Sequence, residues 1–201
     1  MADMEKTGKN LEGRGFRVHR FATGAEAADY LVQTLHGTSI GIGIGGSVTI
    51  DTLGVYDRLC ESNEVFWHWK NHAPETRERA GKAETYLCSA NGVSENGEIV
   101  NIDGFGNRVA GTIYGPERVF LVVGRNKIAP DLTGAIDRAR NIAAPLNARR
   151  LNRHTPCAVG EPRCHDCRSP EKVCGVMTVF FMPPTSIKEF HVILVDETLG
   201  Y

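Results

Sequence analysis

Helical and strand patterns alternate along this chain, and the alternation predicts its fold class. The stretch "TGAEAADYLVQTLH" begins with Thr23, carries Glu26 at capping-box spacing and places Ala27 and Leu31 on one stripe, as expected for a helix. The short apolar runs "RVFLVVG" and "FHVILV" are typical of strands. We therefore expect one α/β domain over residues 1–201 with a largely parallel sheet.

The remaining segments extend this alternation. "TSIGIGIGGS" (38–47) predicts a strand and a glycine turn, and Ser47 is the expected N-cap of a helix over "VTIDTLGVYDRL". Another helix is expected over "PDLTGAIDRARNIAA", with Pro145 as its end. Short strands are predicted for "EVFWHW", "ETYLC", "VAGTIYG" and "GVMTVFFM", because polar or glycine-containing turns separate these stretches.

Composition limits the classes of protein to which the chain can belong. Its 201 residues are 41% hydrophobic, which suits one globular domain with a substantial core. The formal net charge is −1 and the basic stretch "RRLNRH" is short, so we expect no nucleic-acid partner. The apolar runs are too short to span a membrane, and the first residues lack the apolar core of a signal peptide. We therefore expect a cytoplasmic protein with no membrane partner.

The first candidate binding site is the glycine-rich stretch "GIGIGGS". A strand that runs through glycines into a helix brings backbone N–H groups close to a ligand, and the helix dipole favours an anion. Gly45, Gly46 and Ser47 are the expected contact residues. The alternative is a tight turn in which the glycines only permit close packing of strand and helix.

The second candidate site lies in residues 89–128, where polar side chains recur in turns at the ends of predicted strands. An open α/β sheet forms its ligand crevice at such ends. Arg108 offers a planar fork for a carboxylate or phosphate, and Lys127 offers a point charge. The alternative is that these are ordinary turns, since Asn-Gly and Asp-Gly pairs are common in hairpins. The candidate ligand-binding residues are Asn91, Asn107, Arg108, Asn126 and Lys127.

A third candidate site is the segment "TPCAVGEPRCHDCRSPEKVC" (155–174), a loop that holds four of the six cysteines. Cys164 and Cys167 form a C-x2-C pair, and Cys157 and Cys174 flank it at equal spacing. In a reducing compartment such clustering indicates a metal more often than a disulfide. Four thiolates suit either zinc or an iron–sulfur cluster, and four buried reduced cysteines are the remaining alternative.

Several longer stretches together resemble one known family. They are "GIGGSVT", "NGEIVNIDGFGNRVA", "YGPERVFLVVGRNKI", "IAAPLNARRLNRHTPC", "CHDC", "SPEKVC" and "VILVDETLGY", and the match runs from about residue 38 to 201. The chain resembles the LUD (lactate utilisation) domain family, formerly a domain of unknown function. The resemblance implies a fold similar to the sugar-phosphate isomerase and CoA-transferase superfamily, with the site over the C-terminal ends of the strands.

The resemblance also implies a role for the chain. Members of the family act in bacterial oxidation of lactate to pyruvate alongside separate iron–sulfur subunits. We therefore expect an accessory or ligand-binding subunit of such a system, with a small anionic ligand, iron–sulfur partner subunits and a possible homo-oligomer. The expected cofactor is an iron–sulfur cluster of the 4Fe–4S type on the four cysteines, with zinc as the alternative. The alternative function is an independent enzyme that binds an anion, a phosphosugar or CoA and carries structural zinc.

Overall fold

Ten strands lie within residues 2–38 and 40–201, the part of the chain that the computed structural model describes. They are β1 (Arg17–Phe21), β2 (Ile42–Ile44), β3 (Val65–Trp67), β4 (Thr85–Ser89), β5 (Gly92–Ser94), β6 (Ile99–Asp103), β7 (Arg118–Gly124), β8 (Ile128–Ala129), β9 (Val176–Phe180) and β10 (Glu189–Val195). Met1 falls in the predicted domain and Ser39 in the predicted 38–47 segment, and both lie outside the described residues.

The helices alternate with these strands. They are α1 (Met4–Gly13), α2 (Gly24–Thr34), α3 (Val48–Leu53), α4 (Tyr56–Cys60), α5 (Thr76–Lys82), α6 (Asn107–Ile113), α7 (Leu132–Arg138), α8 (Ala144–Arg150) and α9 (Pro156–Val159). A 3-10 turn spans Arg125–Lys127, and a π-helical turn at Ala139–Ala143 joins α7 to α8. No described helix is both long enough and apolar enough to cross a membrane.

The strands form two sheets. The larger sheet has six strands in the order β1-β10-β7-β4-β2-β3, and every neighbouring pair runs parallel. The smaller sheet has the order β8-β5-β6-β9 and is mixed, because β6 runs antiparallel to both of its neighbours while β5 and β8 are parallel. The predicted α/β class with a largely parallel sheet is confirmed.

Both faces of the larger sheet are buried, which explains its continuously apolar strands. Phe120 and Ile193 point into one core, which α2 and α3 cover, whereas Leu121 and Val192 point into a second core with Leu11 of α1. Transfer of such side chains from water stabilises the fold by roughly 1.5–3 kcal/mol each. The sheet is therefore a rigid platform whose strand ends are fixed in position.

Local signals explain where several elements begin. The predicted capping box is present in α2, since the Thr23 hydroxyl accepts from Glu26 N and the Glu26 carboxylate accepts from Thr23 N, each over 3.2 Å. Ser47 caps α3 as predicted, accepting from Ile50 N over 3.3 Å. The expected single helix after Ser47 is divided into α3 and α4, because Gly54 adopts a left-handed φ of 64°.

The prediction of a strand for "VAGTIYG" is wrong, because residues 109–113 form the second part of helix α6. Its β-branched residues favour a strand, but Gly106 turns the chain with a φ of 94° just before the helix. The Asp103 carboxylate then accepts from the backbone N–H groups of Arg108 and Val109 at 3.0 and 3.2 Å. These bonds satisfy two of the N–H groups that every helix leaves free in its first turn.

The prediction that Pro145 ends its helix is also wrong. The helical path continues through the π-helical turn and α8 as far as Arg150, with the proline among the first residues of α8. A proline lacks an N–H group and is tolerated at the start of a helical segment. The π turn immediately before α8 changes the hydrogen-bond spacing, so Pro145 lies at the start of a new α-helical segment.

Candidate ligand-binding cleft

A cleft of about 730 Å³ opens at the C-terminal edge of the larger sheet. In parallel sheets this edge is the usual place for a ligand, because the loops after neighbouring strands meet there. The end of β6, helix α8 and the segment Pro170–Val173 supply further walls. The lining residues at the strand ends are Gly46 and Ser47 after β2, His68 and Trp69 after β3, Ser89, Ala90 and Asn91 at β4, and Lys127 after β7.

Lys127 lies at the floor of this cleft and is 3% exposed. Its Nζ donates to Thr49 Oγ1 and Ser89 Oγ, both at 2.8 Å, and to the carbonyl of Ala90 at 3.2 Å. These three acceptors are neutral. Burial, with smaller effects of the nearby Arg138 and Arg108 cations, holds the pKa of Lys127 well below its usual value.

Arg108 reaches the same floor but uses its donors within the protein. The guanidinium donates to Asn91 Oδ1 at 2.7 Å, to Asn101 Oδ1 at 2.8 Å and to the carbonyl of Ser89 at 3.1 Å, and it also donates to the carbonyl of Ile102. The side chain thus joins the end of β4 to β6. The guanidinium therefore stabilises the framework of the cleft. The sequence had instead predicted that it would be free to bind an anion.

The glycine-rich turn has a divided role. Gly46 and Ser47 line the cleft, as expected, whereas Gly45 packs behind it, where an added Cβ would lie 3.0 Å from Arg108 Cγ. The Ser47 hydroxyl is used to cap α3, and that helix has only six residues. Its dipole is therefore weak, and the side chains deeper in the cleft carry most of the charge that a ligand would meet.

The predicted asparagines occupy different places. Asn91 and Asn107 line the cleft, and the Asn91 side chain is held by Arg108 and by Ile102 N. Asn126 is not among the lining residues. Its side-chain oxygen accepts from Leu199 N at 3.1 Å and its amide donates to the Gly200 carbonyl at 3.2 Å, so it fastens the C-terminal segment.

Sequence reasoning missed the hydroxyl pair around Lys127. Thr49 lies in the first turn of α3, directly after the glycine turn, and Ser89 is the last residue of β4. Both residues lie next to the C-terminal end of a strand, and this position could have indicated a place in the cleft. In the sequence, however, they look like ordinary residues of a helix and a strand. The Ser89 hydroxyl donates to the Val122 carbonyl at 2.6 Å, which fixes its orientation between β4 and β7.

Two aromatic and cationic pairs lie along the cleft. The Arg150 guanidinium stacks over the Trp69 ring at 4.5 Å, and the Arg77 guanidinium stacks over the exposed Phe105 ring at 4.8 Å. A cation over an aromatic face is attracted by the ring quadrupole, so each pair holds its arginine in place. These residues were absent from the sequence prediction because their pairing is entirely tertiary.

His68 also lines the cleft, close to Gly46. Burial, with a smaller contribution from Arg77 and against an opposing effect of Asp103, lowers the pKa of His68 from 6.5 to about 4. Its Nδ1 is buried without a hydrogen-bond partner in the described part of the chain. Near neutral pH this imidazole is therefore uncharged.

The charge balance of the cleft is positive. Asp103 and Glu171 are the side-chain carboxylates among the lining residues in the described ranges, and Asp103 already caps α6. Cationic side chains outnumber them, so the cleft attracts anions by its field. Apart from Lys127, whose charge is disfavoured by burial, the cations are Arg77, Arg108, Arg150, Arg153 and Lys172.

Three cysteines of the 155–174 loop, Cys157, Cys164 and Cys167, lie near enough to the fourth, Cys174, to affect its thiol electrostatically. Burial raises the pKa of the Cys174 thiol, Lys172 opposes this, and negative charge on Cys164, Cys157 and Cys167 raises it further. All four are free thiols. Across residues 2–38 and 40–201, no three His, Cys, Asp or Glu side chains are arranged as a metal-binding group. The loop therefore brings the predicted thiols into one neighbourhood without placing them around a common point.

The cysteine loop and the cleft share a wall. Pro170–Val173 lines the cleft, and Cys174 follows it directly. Lys172 Nζ donates to the Cys167 carbonyl at 3.3 Å, while Gly104 lets the backbone of Val173 approach so closely that an added Cβ would lie 2.8 Å from Val173 Cα. A change in the loop would therefore be transmitted to the cleft.

Comparisons with known proteins place the chain in a family. A family model described as the LUD domain matches residues 4–195. The crystal structure of a DUF162 family protein from Deinococcus radiodurans is similar to this chain with a TM-score of 0.54 and 14% identity, covering 96% of this chain and 95% of that one. That likeness shows the fold alone, and DUF162 is the former name of the LUD family. No curated protein matches. The chain therefore belongs to the LUD domain family and is related to lactate utilisation.

Proposed function

We propose that this chain binds a carboxylate- or phosphate-bearing small molecule in the cleft, as an accessory or ligand-binding subunit of an iron–sulfur system that oxidises lactate to pyruvate. The observation that carries the proposal is the excess of cationic side chains around a floor built on Lys127. Such a field raises the local concentration of anions. Family membership supports the choice of lactate or pyruvate among the anions to be tested first.

The exposed cations are suited to ligand contact. Arg153 lines the cleft and is exposed, and Arg150 is held over Trp69 at 4.5 Å. Charge-assisted hydrogen bonds from a guanidinium to a carboxylate or phosphate are about twice as strong as neutral ones. Arg108, by contrast, shapes the floor through its bonds to Asn91 and Asn101.

The cleft volume favours a second candidate function. At about 730 Å³ it lies within the range of roughly 300–1,000 Å³ that holds drug-sized ligands, which is far more room than an acid as small as lactate needs. A phosphosugar or a CoA-like ligand would use both the cationic walls and the aromatic rings. In this alternative the protein is an independent enzyme or binding domain, and the cysteine loop carries structural zinc.

The cysteines fit either cofactor by the chemistry of their donors. Four soft sulfur ligands in one loop suit a 4Fe–4S cluster or zinc, and Cys157, Cys164, Cys167 and Cys174 would hold it. An iron–sulfur cluster would supply one-electron chemistry, whereas zinc does not change its oxidation state. The chain's own contribution is to hold the Pro170–Val173 wall against the cleft. In the first proposed function, this chain acts together with separate iron–sulfur subunits.

Calorimetry with the intact chain tests ligand binding. Titrations with L-lactate, pyruvate, inorganic phosphate and a sugar phosphate should give saturable heat for at least one anion. Arg150→Gln combined with Arg153→Gln should weaken that binding by about tenfold or more, since about 1.4 kcal/mol corresponds to tenfold. The matched control is Arg58→Gln, an exposed arginine outside the cleft that pairs with Asp29. Equal weakening in the control, or no heat with any anion, would contradict the proposal.

Metal and acid-labile sulfide analysis of protein purified without oxygen distinguishes the two functions. Iron with sulfide supports the electron-transfer system, and stoichiometric zinc supports the independent domain. Cys164→Ser combined with Cys167→Ser should remove the metal, whereas Cys60→Ser, an exposed thiol outside the loop, should retain it. Unchanged metal content in the double variant would remove these cysteines from the site.

A further inference from the structure

We propose that Lys127 is a nucleophilic amine that forms an imine with a carbonyl compound carrying a carboxylate or phosphate, of which a 2-oxo acid is the simplest example. The inference deepens the proposed function, because it rests on anion binding in the same cleft. It assigns a covalent role to a side chain whose hydrogen bonds otherwise only tie together the floor of the cleft.

Within the described residues, no carboxylate pairs with the Lys127 nitrogen, although such a partner is what usually keeps a buried lysine charged. Its hydrogen-bond acceptors are Thr49 Oγ1, Ser89 Oγ and the Ala90 carbonyl, none of which is a carboxylate. A buried ammonium without a paired anion is costly, and the usual outcome is loss of its proton. Arg108 and Arg138 act in the same direction, since nearby cations disfavour a further positive charge.

The position of the amine makes it reachable from the cleft. Lys127 lines the cleft together with both hydroxyl residues that hold its nitrogen. A lysine enclosed in the protein interior would be inert, whereas Lys127, although only 3% exposed, lines the cleft in which the anion is bound. Desolvated lysines of this kind are the ones that proteins use to form Schiff bases.

The charge of the cleft selects the class of carbonyl compound. The cationic residues around the floor attract a carboxylate or phosphate, so an aldehyde or ketone that carries such a group is brought near the amine. An uncharged aldehyde lacks this attraction. We therefore expect an anionic 2-oxo acid or a phosphorylated aldehyde to form the imine faster than a neutral carbonyl compound of the same size.

The step balances without any further reactant. The lone pair of the neutral Lys127 nitrogen forms a bond to the carbonyl carbon, and the C=O π electrons move to oxygen. Transfer of a proton from nitrogen to that oxygen gives a carbinolamine. Loss of the hydroxyl group with a second proton, as one water molecule, leaves the C=N bond of the imine. The Thr49 hydroxyl, 2.8 Å from the nitrogen, is placed to pass these protons, whereas the Ser89 hydroxyl is held by its bond to the Val122 carbonyl.

Reductive trapping on the full chain tests the inference. The protein is incubated near neutral pH with pyruvate and sodium cyanoborohydride, and in parallel with glycolaldehyde phosphate, and digested peptides are mapped by mass spectrometry. Because each unit by which the pKa falls gives about tenfold more neutral amine, we expect at least about tenfold more adduct at Lys127 than at exposed lysines such as Lys9 or Lys82. Lys127→Arg keeps a long side chain but removes the primary amine, and it should abolish this adduct.

The outcomes separate the inference from the function on which it rests. Anion binding by calorimetry without an adduct at Lys127 would overturn the imine and leave the binding function standing. Adducts spread evenly over surface lysines would also overturn it. An adduct at Lys127 in the parent protein supports the inference even if Lys127→Arg fails to fold, because the site is mapped on the unaltered chain. Absence of both binding and adduct would overturn both proposals.

Discussion

The guanidinium of Arg108 donates a hydrogen bond of 2.7 Å to the side-chain oxygen of Asn91, the asparagine that follows β4. The same oxygen accepts from Ile102 N of β6 over 2.9 Å. Asn91 therefore joins Arg108 to the smaller sheet, and Arg108 in turn holds the carbonyl of Ser89 beside Lys127. The two sheets are fastened to each other at the floor of the cleft by these polar contacts.

Arg108→Ala should lower the free energy of unfolding by about 3 kcal/mol. The substitution leaves the acceptors on Ser89, Asn91 and Asn101 without their charged donor, and an unsatisfied buried acceptor costs about 1–3 kcal/mol. Urea denaturation of both proteins measures the difference. Arg153→Ala is the matched control, since Arg153 lines the same cleft but is exposed, and its change should stay within about 0.5 kcal/mol. Equal stability of the two variants would contradict the framework role of Arg108.

Local patterns in the sequence predicted those parts of the fold that local physics determines. The capping box at Thr23 and Glu26, the cap at Ser47 and the apolar strands β7 and β10 are present in the structure. Each depends on residues a few positions apart. The α/β class and the location of the cleft at the strand ends follow from the order of these elements.

The features of the fold and the cleft that the sequence did not predict depend on contacts between residues far apart in the chain. The sequence predicted that the Arg108 guanidinium would be available to a ligand. Its partner Asn91 is seventeen positions away, and the sequence alone does not show which hydrogen-bond donors are already used within the protein. The segment after Asp103 was predicted to be a strand because it contains β-branched residues. The sequence did not show that the Asp103 carboxylate, which lies before the helix, would accept from its first N–H groups. Residues of α1 gave no assigned element, although Leu11 is fully buried in the core.

Gly104→Ala should weaken anion binding by several-fold. An added Cβ would lie 2.8 Å from Val173 Cα, which is shorter than side-chain carbons tolerate, so the Pro170–Val173 wall must move. Such overpacking costs roughly 1–3 kcal/mol. Calorimetric affinity for the anion that binds the parent protein is the measurement.

A second glycine gives the control for that experiment. In the described part of the chain, an added Cβ at Gly81 of α5 would meet nothing within 4 Å beyond its own helix, so Gly81→Ala should leave the affinity unchanged and stabilise the helix by up to about 1 kcal/mol. If Gly104→Ala binds the anion as tightly as Gly81→Ala does, the wall does not shape the ligand site.

His68 should make the protein less stable as the pH falls from about 6.5 to about 4. The pKa of a fully hydrated histidine is 6.5, whereas that of His68 in the folded chain is about 4, chiefly because of burial. Between these values the unfolded state binds the proton and the folded state does not, so acid favours unfolding, by about 1–2 kcal/mol after allowance for solvent screening of this partly exposed ring. Urea denaturation at a series of pH values measures the slope, and His68→Gln should flatten it.

The control for the histidine is His36→Gln, because His36 is exposed. This variant should keep the parental slope in the same pH range. Part of the slope will remain in His68→Gln as well, since burial also lowers the pKa of His19 and His191. An identical slope in His68→Gln and in the parent protein would show that His68 is free to take up a proton in the folded state.

Removal of the metal that we propose for the cysteine loop should loosen one wall of the cleft and leave the large sheet intact. Cys174 directly follows Pro170–Val173, and Lys172 is tied to the Cys167 carbonyl over 3.3 Å, so ligand bonds to these thiolates would restrain the wall. Hydrogen exchange followed by mass spectrometry should show faster exchange over 155–174 in Cys164→Ser combined with Cys167→Ser, and unchanged exchange in β7. The anion affinity of that variant should fall by several-fold, because a mobile wall must be ordered on binding. Slow exchange throughout the loop would show that its own hydrogen bonds, such as those from Arg149 to the carbonyls of Ala158 and Gly160, suffice to hold it.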